Sequence, residues 1–322
     1  MKITLVVPVK NEVKTIKECV QSILNQTYRD FEVIFVDGGS KDGTYEFLEE
    51  VSRRKRRIKI IREPGLGPGS GRDLGFQSGK GEILAHIDGD NIVAKNYLEL
   101  CIEKLRSASV AGVRPGLEFV YENGFLGEIL KLRRRMLYGK EPFSSQYPTV
   151  YRREIYDMAG RLDPGLIIGE DYDLWIRMQR AAGELHQTFV IERDAVIYNR
   201  PKERTIAEIL QHSAWYGRGL TPILLKHPGI GLKFVAEPVF YPVMTIVILI
   251  YMVYRLPIFL IFPLIFTLRW GIFVLRRLDK VRDFRELVLA LGLIPLIRVV
   301  ESWGSLLGLL KYLTNELGKM LR

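Results

Sequence analysis

The sequence has only two cysteines, Cys19 and Cys101, in 322 residues. Two thiols cannot form a disulfide framework, which excludes the small disulfide-stabilised secreted proteins and favours a reducing compartment. Apolar residues make up 48% of the chain, and that share excludes an intrinsically disordered protein. The length is sufficient for about two domains, each with a hydrophobic core of its own.

Two common phosphate-binding motifs are also absent. No GxGxxG follows the first predicted strand, residues 3–9, and neither GxxxxGKS nor GxxxxGKT occurs in the sequence. These absences argue against a dinucleotide-binding Rossmann domain and against a P-loop enzyme.

The chain is basic, with 47 Lys and Arg residues against 37 Asp and Glu residues and a formal net charge of +10. The densest basic runs, residues 53–57 and 133–135, contain no interleaved aromatic residues, and no known nucleic-acid-binding module accompanies them. We therefore expect no nucleic-acid partner. Attraction to anionic lipid headgroups, or a solvated surface, accounts for such runs.

Apolar residues are concentrated near the C-terminus. Residues 238–254 contain no charged side chain, and neither do residues 256–268. A bilayer core about 30 Å thick needs roughly 20 helical residues, a length that each run reaches with its flanks. The pattern predicts two transmembrane helices, at about 235–254 and 256–275. Aromatic residues typical of membrane interfaces lie near their ends: Phe240, Tyr241, Trp270 and Phe273.

A third apolar segment, about 286–312, contains Arg298 and Glu301, which are three residues apart and can pair on one helix face. It is either a third span or a pair of interfacial helices broken at Pro295, and the interfacial arrangement is favoured. The basic residues 276–282 predict that the loop before this segment faces the cytoplasm together with the N-terminal domain. Met1 leads directly into a strand without a signal peptide, so we expect that the N-terminal domain is not secreted. The apolar segments predict a multi-pass cell-membrane protein with this domain in the cytoplasm.

The N-terminal region, residues 1–233, alternates short apolar runs with helical patterns. This predicts an α/β domain with a mostly parallel central sheet, followed by a membrane region over 234–322. Amphipathic interfacial helices are expected at about 205–226.

Three aspartates follow predicted strands: Asp37 directly, and Asp88 and Asp90 after residues 83–87. Ligands of parallel sheets bind at the carboxyl ends of the strands. The closely spaced Asp88 and Asp90 offer hard oxygen ligands that suit Mg²⁺ or Mn²⁺ beside a nucleotide diphosphate. Aspartate also favours turns and helix N-termini, and this role stays open for Asp37.

Four motifs in this order resemble the family-2 inverting glycosyltransferases: residues 8–12 (PVKNE), residues 31–44 ending in DGGSKDGT, residues 71–75 (GRDLG), and the DxD of Asp88 and Asp90. The resemblance covers residues 1 to about 220. It implies a nucleotide-sugar-binding domain of the glycosyltransferase A type that uses Mg²⁺ or Mn²⁺.

The resemblance also implies donor-binding residues, which are Pro8, Asn11, Glu12, Asp37, Arg72 and Asp88. The first four would surround the base and the ribose. Arg72 would lie near the nucleotide or its phosphates, and Asp88 and Asp90 near the ribose, the diphosphate and the metal.

Glu170 and Asp171 precede a predicted helix over 172–182 and resemble the family's ED motif, in which the Asp deprotonates the acceptor hydroxyl. The resemblance therefore implies that Asp171 is the general base. An inverting transfer needs one base, and a diphosphate leaving group on a metal needs no second acid of the kind that hydrolases use. Helix N-capping is the structural alternative for Asp171.

Further acceptor or diphosphate contacts implied by the resemblance are Glu170, Tyr151, Arg152, Gln211, Trp215 and Arg218. The segment with the last three has helical spacing and can instead form an amphipathic helix on the membrane surface. Many relatives have a metal-binding His after the last strand, where this sequence has Asn199. The metal is then held either with the Asn199 oxygen or by the DxD and the donor phosphates alone.

These features predict transfer of a sugar from a UDP- or GDP-linked donor to a lipid-linked or cell-envelope glycan acceptor at the cytoplasmic membrane face. Membrane lipids are expected partners, and the membrane region offers a surface for a homo-oligomer. Two alternatives stay open: a polyprenyl (dolichyl) phosphate glycosyltransferase, and a non-catalytic nucleotide-sugar-binding subunit of a polysaccharide assembly complex. Residues 91–94 lack the His and Pro that dolichyl-phosphate enzymes usually have after the DxD.

Overall fold

The computed structural model of the chain describes residues 1–65, 67–121, 124–138, 143–166, 168–201, 203–227 and 261–320. The chain divides into two compact units. The first comprises Met1–Val120 and Glu141–Pro201, and the second comprises Tyr121–Lys140 and Lys202–Arg322. The boundary predicted at residue 233 and the span predicted at 235–254 lie outside the described residues.

The described part of the first unit contains one sheet of nine strands. They are β1 Ile3–Val9, β2 Phe31–Asp37, β3 Ile58–Arg62, β4 Ile83–His86, β5 Ile92–Val93, β6 Val110–Phe119, β7 Phe143–Ser144, β8 Val150–Arg152 and β9 Thr188–Asn199. The α-helices of the described residues are α1 Ile16–Leu24, α2 Thr44–Arg54, α3 Pro68–Ser78, α4 Tyr97–Leu105, α5 Phe125–Tyr138, α6 Arg153–Met158, α7 Glu170–Glu184, α8 Ile206–Lys226, α9 Ile261–Leu275 and α10 Phe284–Met320. Helices α5, α8, α9 and α10 belong to the second unit.

The strand order is β3-β2-β1-β4-β8-β6-β9-β5, with β7 paired to β6. Strand β1 is parallel to both neighbours, with Val9 in register with Asp37 and Val6 with His86. The parallel sheet predicted for the N-terminal half is thus confirmed. Beyond β4 the pairing is mixed, because β8 is antiparallel to both β4 and β6 while β9 is parallel to β6.

Side chains of β1 alternate between the two faces of the sheet. Leu5 and Val7 pack with α1 and α4 in one layer, whereas Val6 packs with α3 and α7 in the other. Both faces are buried, which explains the near-continuous apolar run of this strand. The carboxyl ends of β1, β2 and β4 meet at one edge of the sheet, where the residues implied by the resemblance follow.

Helix α3 lies very close to β1 because its glycines face the strand. A Cβ atom added at Gly75 would lie 2.4 Å from Val6 Cγ1, and one at Gly69 would lie 2.7 Å from Glu170 Cγ. A side chain at either position would push α3 away from the sheet or from α7. The glycines therefore set the depth at which Arg72, between them on the helix, enters the unit.

We predict opposite signs for two Gly-to-Ala variants. Gly75→Ala forces a methyl group against Val6, and overpacking of this kind lowers the free energy of unfolding by roughly 1–3 kcal/mol. Gly183→Ala on α7 is the control, because a Cβ there would meet no atom within 4 Å from the described residues beyond its chain neighbours and the backbone of its own helix. Its better helix propensity is expected to raise the stability by up to about 1 kcal/mol. Urea unfolding measures both, and a Gly75→Ala variant as stable as the original chain contradicts the close approach.

In the second unit, α8 and α10 also touch through glycines. A Cβ at Gly217 would lie 1.9 Å from the Glu301 carbonyl oxygen, and one at Gly304 would lie 2.2 Å from the Ala214 carbonyl oxygen. Helix α5 packs with α9 and α10 in a separate apolar cluster. Its buried members are Leu132, Met136, Trp270, Val274, Ala290 and Ile294.

Helix α10 continues through Pro295, so the alternative of two helices broken there is wrong. Proline removes one backbone hydrogen bond, and the turns on either side keep the helix continuous. The predicted pairing of Arg298 with Glu301 is confirmed, with 3.0 Å between Nη1 and Oε2. Trp270 is buried against α10 rather than free for a membrane interface, and its Nε1 donates to the Ala290 carbonyl at 2.8 Å.

One helical stretch in the described part of the chain, Phe284–Gly308 of α10, is long and apolar enough to cross a membrane by length and composition. It overlaps the third apolar segment, 286–312. In the most apolar part of this stretch, 33% is buried inside the protein. Helix α9 contains the described part of the span predicted at 256–275.

Candidate active site

Two loops at the carboxyl edge of the sheet are tied together by polar side chains. Asp37 is fully buried at the end of β2 and accepts hydrogen bonds from the Gly39 and Ser40 N–H groups at 3.2 and 3.1 Å. Ser40 Oγ in turn accepts from the Asn11 N–H at 2.9 Å, and Asn11 Oδ1 accepts from the Lys41 N–H at 2.9 Å. The structure thus brings Asn11 and Asp37 together, with the Asp37 carboxylate supporting the turn after β2.

Pro8 and Glu12 lie on the same loops. Pro8 faces α3, where its Cβ would be 3.5 Å from a Cβ at Gly71. The Glu12 N–H donates to Thr44 Oγ1 at 2.8 Å, and the Glu12 carboxylate accepts from the Thr15 hydroxyl at 3.0 Å. The four residues implied for base and ribose therefore lie at the joined ends of β1 and β2.

Arg72 lies between two carboxylates. Its Nη2 donates to Asp88 Oδ1 and its Nη1 donates to Glu170 Oε1, both at 2.9 Å. The Arg72 and Glu170 side chains are 10% and 8% exposed, whereas Asp88 is 50% exposed. This two-pronged ion pair connects α3, the loop after β4 and the start of α7, three elements far apart in the sequence.

Burial and the Arg72 charge set the protonation of the carboxyl groups on α7. Burial raises the pKa of both Glu170 and Asp171, and the positive charge of Arg72 opposes that rise. Burial acts to lower the pKa of Arg72, but Asp88, Glu170 and Asp171 outweigh it and raise that pKa. Arg72 stays charged, and the Asp171 carboxyl group has a higher proton affinity than an exposed one.

The N-cap alternative for Asp171 is wrong. The N-cap residue of α7 is Gly169, whose φ of +77° favours glycine and which has no side chain to cap the helix. Asp171 lies in the first turn, where one carboxylate oxygen accepts from the Tyr172 N–H at 2.8 Å. Its side chain lines a cavity at the edge of the sheet.

This cavity has a volume of about 180 Å³. A single buried water needs roughly 10–15 Å³, so the cavity has room for a much larger group. Its walls include residues of α3, β4, β6, β8, β9, α7 and the loop 145–149. Its polar lining includes Arg72, His86, Asp88, Tyr151, Asp171 and Asn199.

The structure adds His86 to the site, which sequence reasoning missed. Its ring centroid lies 6.0 Å from that of Tyr151, which is fully buried. The resemblance implied Tyr151 as an acceptor or diphosphate contact. Burial, assisted by the charge of Arg72, lowers the pKa of His86 to about 3, so its imidazole is neutral at pH 7. His86 is the polar last residue of the apolar strand β4, and it lies on the same face of the sheet as the buried Leu84, two residues earlier. This position is the sequence signal that could have identified it.

Arg152 is not part of the cavity lining. Its guanidinium donates to the backbone carbonyls of Leu105, Ser107 and Val110 at 2.7, 3.0 and 2.8 Å. Successive side chains of a strand point to opposite faces, so the adjacent Tyr151 and Arg152 cannot face the same space. Arg152 instead connects β8 to the end of α4 and the start of β6.

Gln211, Trp215 and Arg218 lie on α8 in the second unit. All three are exposed, and the Trp215 ring lies 5.2 Å from that of Tyr216. His212 Nδ1, also on α8, lies 2.5 Å from Oε1 of Glu203, which precedes the helix. These residues form an aromatic and polar surface of the second unit.

Asp88 and Asp90, the predicted metal ligands, follow β4 at the carboxyl edge of the sheet. No group of three or more His, Cys, Asp or Glu side chains able to hold a metal occurs within the described ranges. Asn199 Nδ2 donates to Asn91 Oδ1 at 2.9 Å. Burial raises the pKa of the nearby Cys19 thiol, and the negative charges of Asp90 and Asp88 raise it further. The two carboxylates therefore concentrate negative charge at this loop. The two carboxylates fit a hard divalent cation that takes its other ligands from phosphate and water.

Two family models match the chain. The model described as Glycosyl transferase family 2 matches residues 4–159, and the model described as Glycosyl transferase family group 2 matches residues 83–274. The chain belongs to the family-2 glycosyltransferases. The matched ranges include Arg72, Asp88 and Asp171, so the site lies within this family-2 glycosyltransferase domain.

Curated relatives carry the same enzyme class. Glycosyltransferase AglE of Haloferax volcanii is 27% identical over 189 residues, which are 56% of this chain and 62% of AglE. The cholesterol galactosyltransferase of Borreliella burgdorferi is 28% identical over 152 residues, 47% of this chain and 42% of that protein. The family-2 glycosyltransferase described here thus matches 62% or less of the length of these two relatives.

Solved structures share the fold. The mannosyltransferase PcManGT from Pyrobaculum calidifontis, in complex with GDP-Man and Mn²⁺, aligns with a TM-score of 0.50 and 17% identity over 69% of this chain and 64% of that chain. S. aureus TarS 1–349 aligns with a TM-score of 0.50 and 18% identity over 98% of this chain and 92% of that chain. The glycosyltransferase A type of fold predicted from the resemblance is confirmed.

We predict that Arg72→Met destabilises this family-2 glycosyltransferase in a pH-dependent way. Removing one partner of a buried ion pair costs about 3–5 kcal/mol, and the half-exposed Asp88 places the loss at about 3 kcal/mol near pH 8. Burial already raises the pKa of Glu170, and loss of the Arg72 charge raises it further. The loss therefore shrinks as the pH falls toward about 5, because Glu170 takes up a proton instead of staying charged.

Arg54→Met is the matched control for this prediction. Arg54 pairs with Glu50 at 2.6 Å, but the two side chains are 73% and 60% exposed. Its removal is expected to change the free energy of unfolding by less than about 0.5 kcal/mol at either pH. Urea unfolding at the two pH values measures both variants, and equal losses for Arg72→Met and Arg54→Met contradict the buried pair.

Proposed function

We propose that this protein is a metal-dependent inverting glycosyltransferase that moves a sugar from a nucleotide diphosphate donor to a lipid-linked or cell-envelope glycan. The observation that carries the proposal is the position of Asp171, which lines a cavity at the carboxyl edge of the sheet within reach of the Arg72 charge. This position supports Asp171 as the base, because nucleotides bind at the same edge of α/β sheets.

The donor side of the proposal rests on the joined loops after β1 and β2. Asn11, Glu12 and Asp37 lie there, and Asp88 lies at the end of β4 in the same sheet edge. Among proteins of this fold, PcManGT is described with GDP-Man and Mn²⁺, and TarS 1–349 with UDP-GlcNAc. We infer a UDP- or GDP-linked sugar as the donor.

The proposed reaction uses one base. Asp171 takes the proton of an acceptor hydroxyl while that oxygen forms a bond to the anomeric carbon of the donor sugar. The bond from this carbon to the diphosphate oxygen breaks, and its electron pair leaves with the nucleoside diphosphate. Attack from the face opposite the leaving group inverts the configuration at the anomeric carbon.

Asp88 and Asp90 would hold Mg²⁺ or Mn²⁺ together with the donor phosphates. The bound ion supplies charge that stabilises the diphosphate as it leaves. Asp88 also accepts from Arg72 at 2.9 Å, so the side chain that would contact the metal is fixed by the same guanidinium that lies beside Asp171. The donor site and the base are thereby connected through one residue.

The membrane part of the proposal rests on the apolar C-terminal region. The stretch Phe284–Gly308 has the length and composition of a span, and the basic residues 276–282 precede it. We infer an anchor that keeps the catalytic unit at the cytoplasmic face, where a lipid-linked acceptor is accessible. Exposed Trp215 and Tyr216 on α8 suit a membrane interface.

A donor screen tests the proposed function. The full chain in detergent is incubated with Mn²⁺ and a panel of UDP- and GDP-sugars, and released nucleotide and sugar products are measured by mass spectrometry. We expect transfer, or slow hydrolysis, of one donor. A donor that binds but is never transferred or hydrolysed would reject the enzyme in favour of a nucleotide-sugar-binding subunit.

Asp171→Asn is expected to lower kcat by at least about 100-fold, the usual contribution of a general base, while the donor Kd stays the same. Glu184→Gln, at the far end of α7 and exposed, is the control and should leave both values unchanged. The wild-type kcat/KM should rise with pH, because Asp171 acts as the deprotonated form. Burial raises the pKa of Asp171, so this rise lies above the range of an exposed carboxylate, and Asp171→Asn removes it. Retention of activity by Asp171→Asn rejects the assignment.

Metal removal gives a separate prediction. EDTA should abolish turnover, and Mn²⁺ or Mg²⁺ should restore it. Asp90→Asn should raise the Mn²⁺ concentration needed for half-maximal activity by roughly ten-fold or more, because it removes one anionic oxygen ligand. Asp30→Asn, an exposed aspartate before β2, is the control. Equal metal dependence of the two variants contradicts a metal site at the DxD.

A further inference from the structure

Helix α5 covers the first turns of the apolar stretch of α10. Arg135 of α5 pairs with Glu286 at 2.5 Å, and Glu128 pairs with Arg285 at 3.1 Å. The two helices also share a buried apolar cluster. Five of the 14 residues of α5 are charged, and Lys131 among them is exposed. Because charged side chains are rare and costly in hydrocarbon, α5 is a helix of the aqueous side.

Helix α8 covers the later turns of the same stretch. A Cβ atom at Gly304 would lie 2.2 Å from the Ala214 carbonyl oxygen, and one at Gly308 would lie 2.7 Å from the Arg218 carbonyl oxygen. The backbones of α8 and α10 are therefore in direct contact. Glu208 and Arg218 of α8 are both exposed. The second helix that covers α10 thus also carries charged side chains.

These contacts oppose a membrane crossing by α10. Helices α5 and α8 contact it from Arg285 to Gly308, nearly the whole length of the apolar stretch. The two covering helices are also joined, because Arg133 Nη2 donates to Ser213 Oγ at 3.3 Å. If α10 crossed the bilayer, the charged residues of α5 and α8 would enter the hydrocarbon with it. The length and composition of α10 suit a span, but its neighbours do not.

The side of α10 that neither helix covers is apolar. Between Val288 and Gly308 no charged side chain is exposed. The exposed large hydrophobic residues of the helix are Phe284, Val288, Leu291, Leu296 and Leu307. A second exposed row, with the spacing of one helix face, lies on α9 and consists of Leu268, Ile272 and Leu275.

Basic residues border these apolar rows. Residues 276–285 connect α9 to the first turn of α10, and they contain five basic side chains against two acidic ones. Arg276, Arg282 and Arg285 are exposed. Exposed apolar rows beside exposed cations match the interface of a bilayer, where cations meet anionic headgroups and apolar side chains enter the acyl region.

We propose that α10 lies in one leaflet of the membrane, together with the apolar row of α9, and does not cross the bilayer. The uncovered apolar face of α10 enters the acyl region, and the face that α5 and α8 cover points to the water. The proposal rests on the membrane part of the proposed function and is independent of the transfer reaction. It places residues 279 and 315, before and after the apolar stretch, on the same side of the membrane.

Cysteine labelling tests the topology. Asp279→Cys lies before α10 and Asn315→Cys lies near its C-terminal end. Cys19 and Cys101 are buried, so the unmodified full chain is the control and should not be labelled. A membrane-impermeant maleimide is added to right-side-out and to inverted membrane vesicles that contain each variant. We expect both variants to be labelled in inverted vesicles and neither in right-side-out vesicles, with both labelled after detergent is added.

The labelling outcomes separate the topology from the proposed function. Labelling of the two variants from opposite sides means that α10 crosses the bilayer and overturns the proposal, whatever the transfer activity of the chain. Labelling of both only in right-side-out vesicles supports a helix that does not cross, but it rejects the cytoplasmic orientation of the proposed function.

Nitroxide depth measurements test the face that enters the lipid. Leu291→Cys and Leu307→Cys are spin-labelled in the full chain, in vesicles of phosphatidylcholine and phosphatidylglycerol. The two positions are about 24 Å apart along the helix axis, at about 1.5 Å per residue. We expect both labels at a similar depth below the headgroups, with spin-labelled Asp279→Cys as the water-exposed reference.

Two results would contradict the placement in one leaflet. A difference in depth that approaches the axial separation of the labels means that α10 crosses the bilayer. Dipolar broadening between labels of two chains, with no access of oxygen from the lipid, means that a second copy covers the apolar face instead of the membrane.

Discussion

The guanidinium of Arg72 holds the catalytic unit together. It is buried between Asp88 and Glu170 at 2.9 Å on each side, and it connects a helix, a strand end and a second helix that are separated by many residues in the sequence. A buried arginine without these carboxylates would be very costly, and so would buried carboxylates without the arginine. Each element is therefore positioned by the charge requirements of the other two.

The glycines of α3 make this arrangement possible. With a side chain at Gly69 or Gly75 the helix could not approach Glu170 and Val6, and Arg72 would lie too far from the sheet to reach both carboxylates. The same charge then acts on Asp171, whose pKa burial raises and Arg72 restrains. The close packing of α3 in this way influences the proton affinity of Asp171, the proposed base.

Much of this could be predicted from the sequence, and the limits have physical causes. The strands that begin at Ile3, Phe31 and Ile58 are continuous apolar runs, and the turn residues after them mark the sheet edge. The residue types at Asp88 and Asp171 predict the metal-ligand and base roles that the proposed function gives them. The ion pair of Arg72 with Asp88 and Glu170 joins three segments that are far apart in the sequence, and it needs the glycines of α3. No local sequence pattern predicts such a contact. The same holds for His86 and for the burial of Trp270 against α10, because tertiary packing determines both.

The charge of Arg72 lowers the pKa of Asp171 against the effect of burial, which raises it. The most direct test compares the pH dependence of donor turnover, measured as nucleoside diphosphate release, in the unmodified chain and in Arg72→Met. Without the Arg72 charge the pKa of Asp171 should rise, so the acidic limb of the profile should move to higher pH. A limb at the same pH in both proteins would contradict the account.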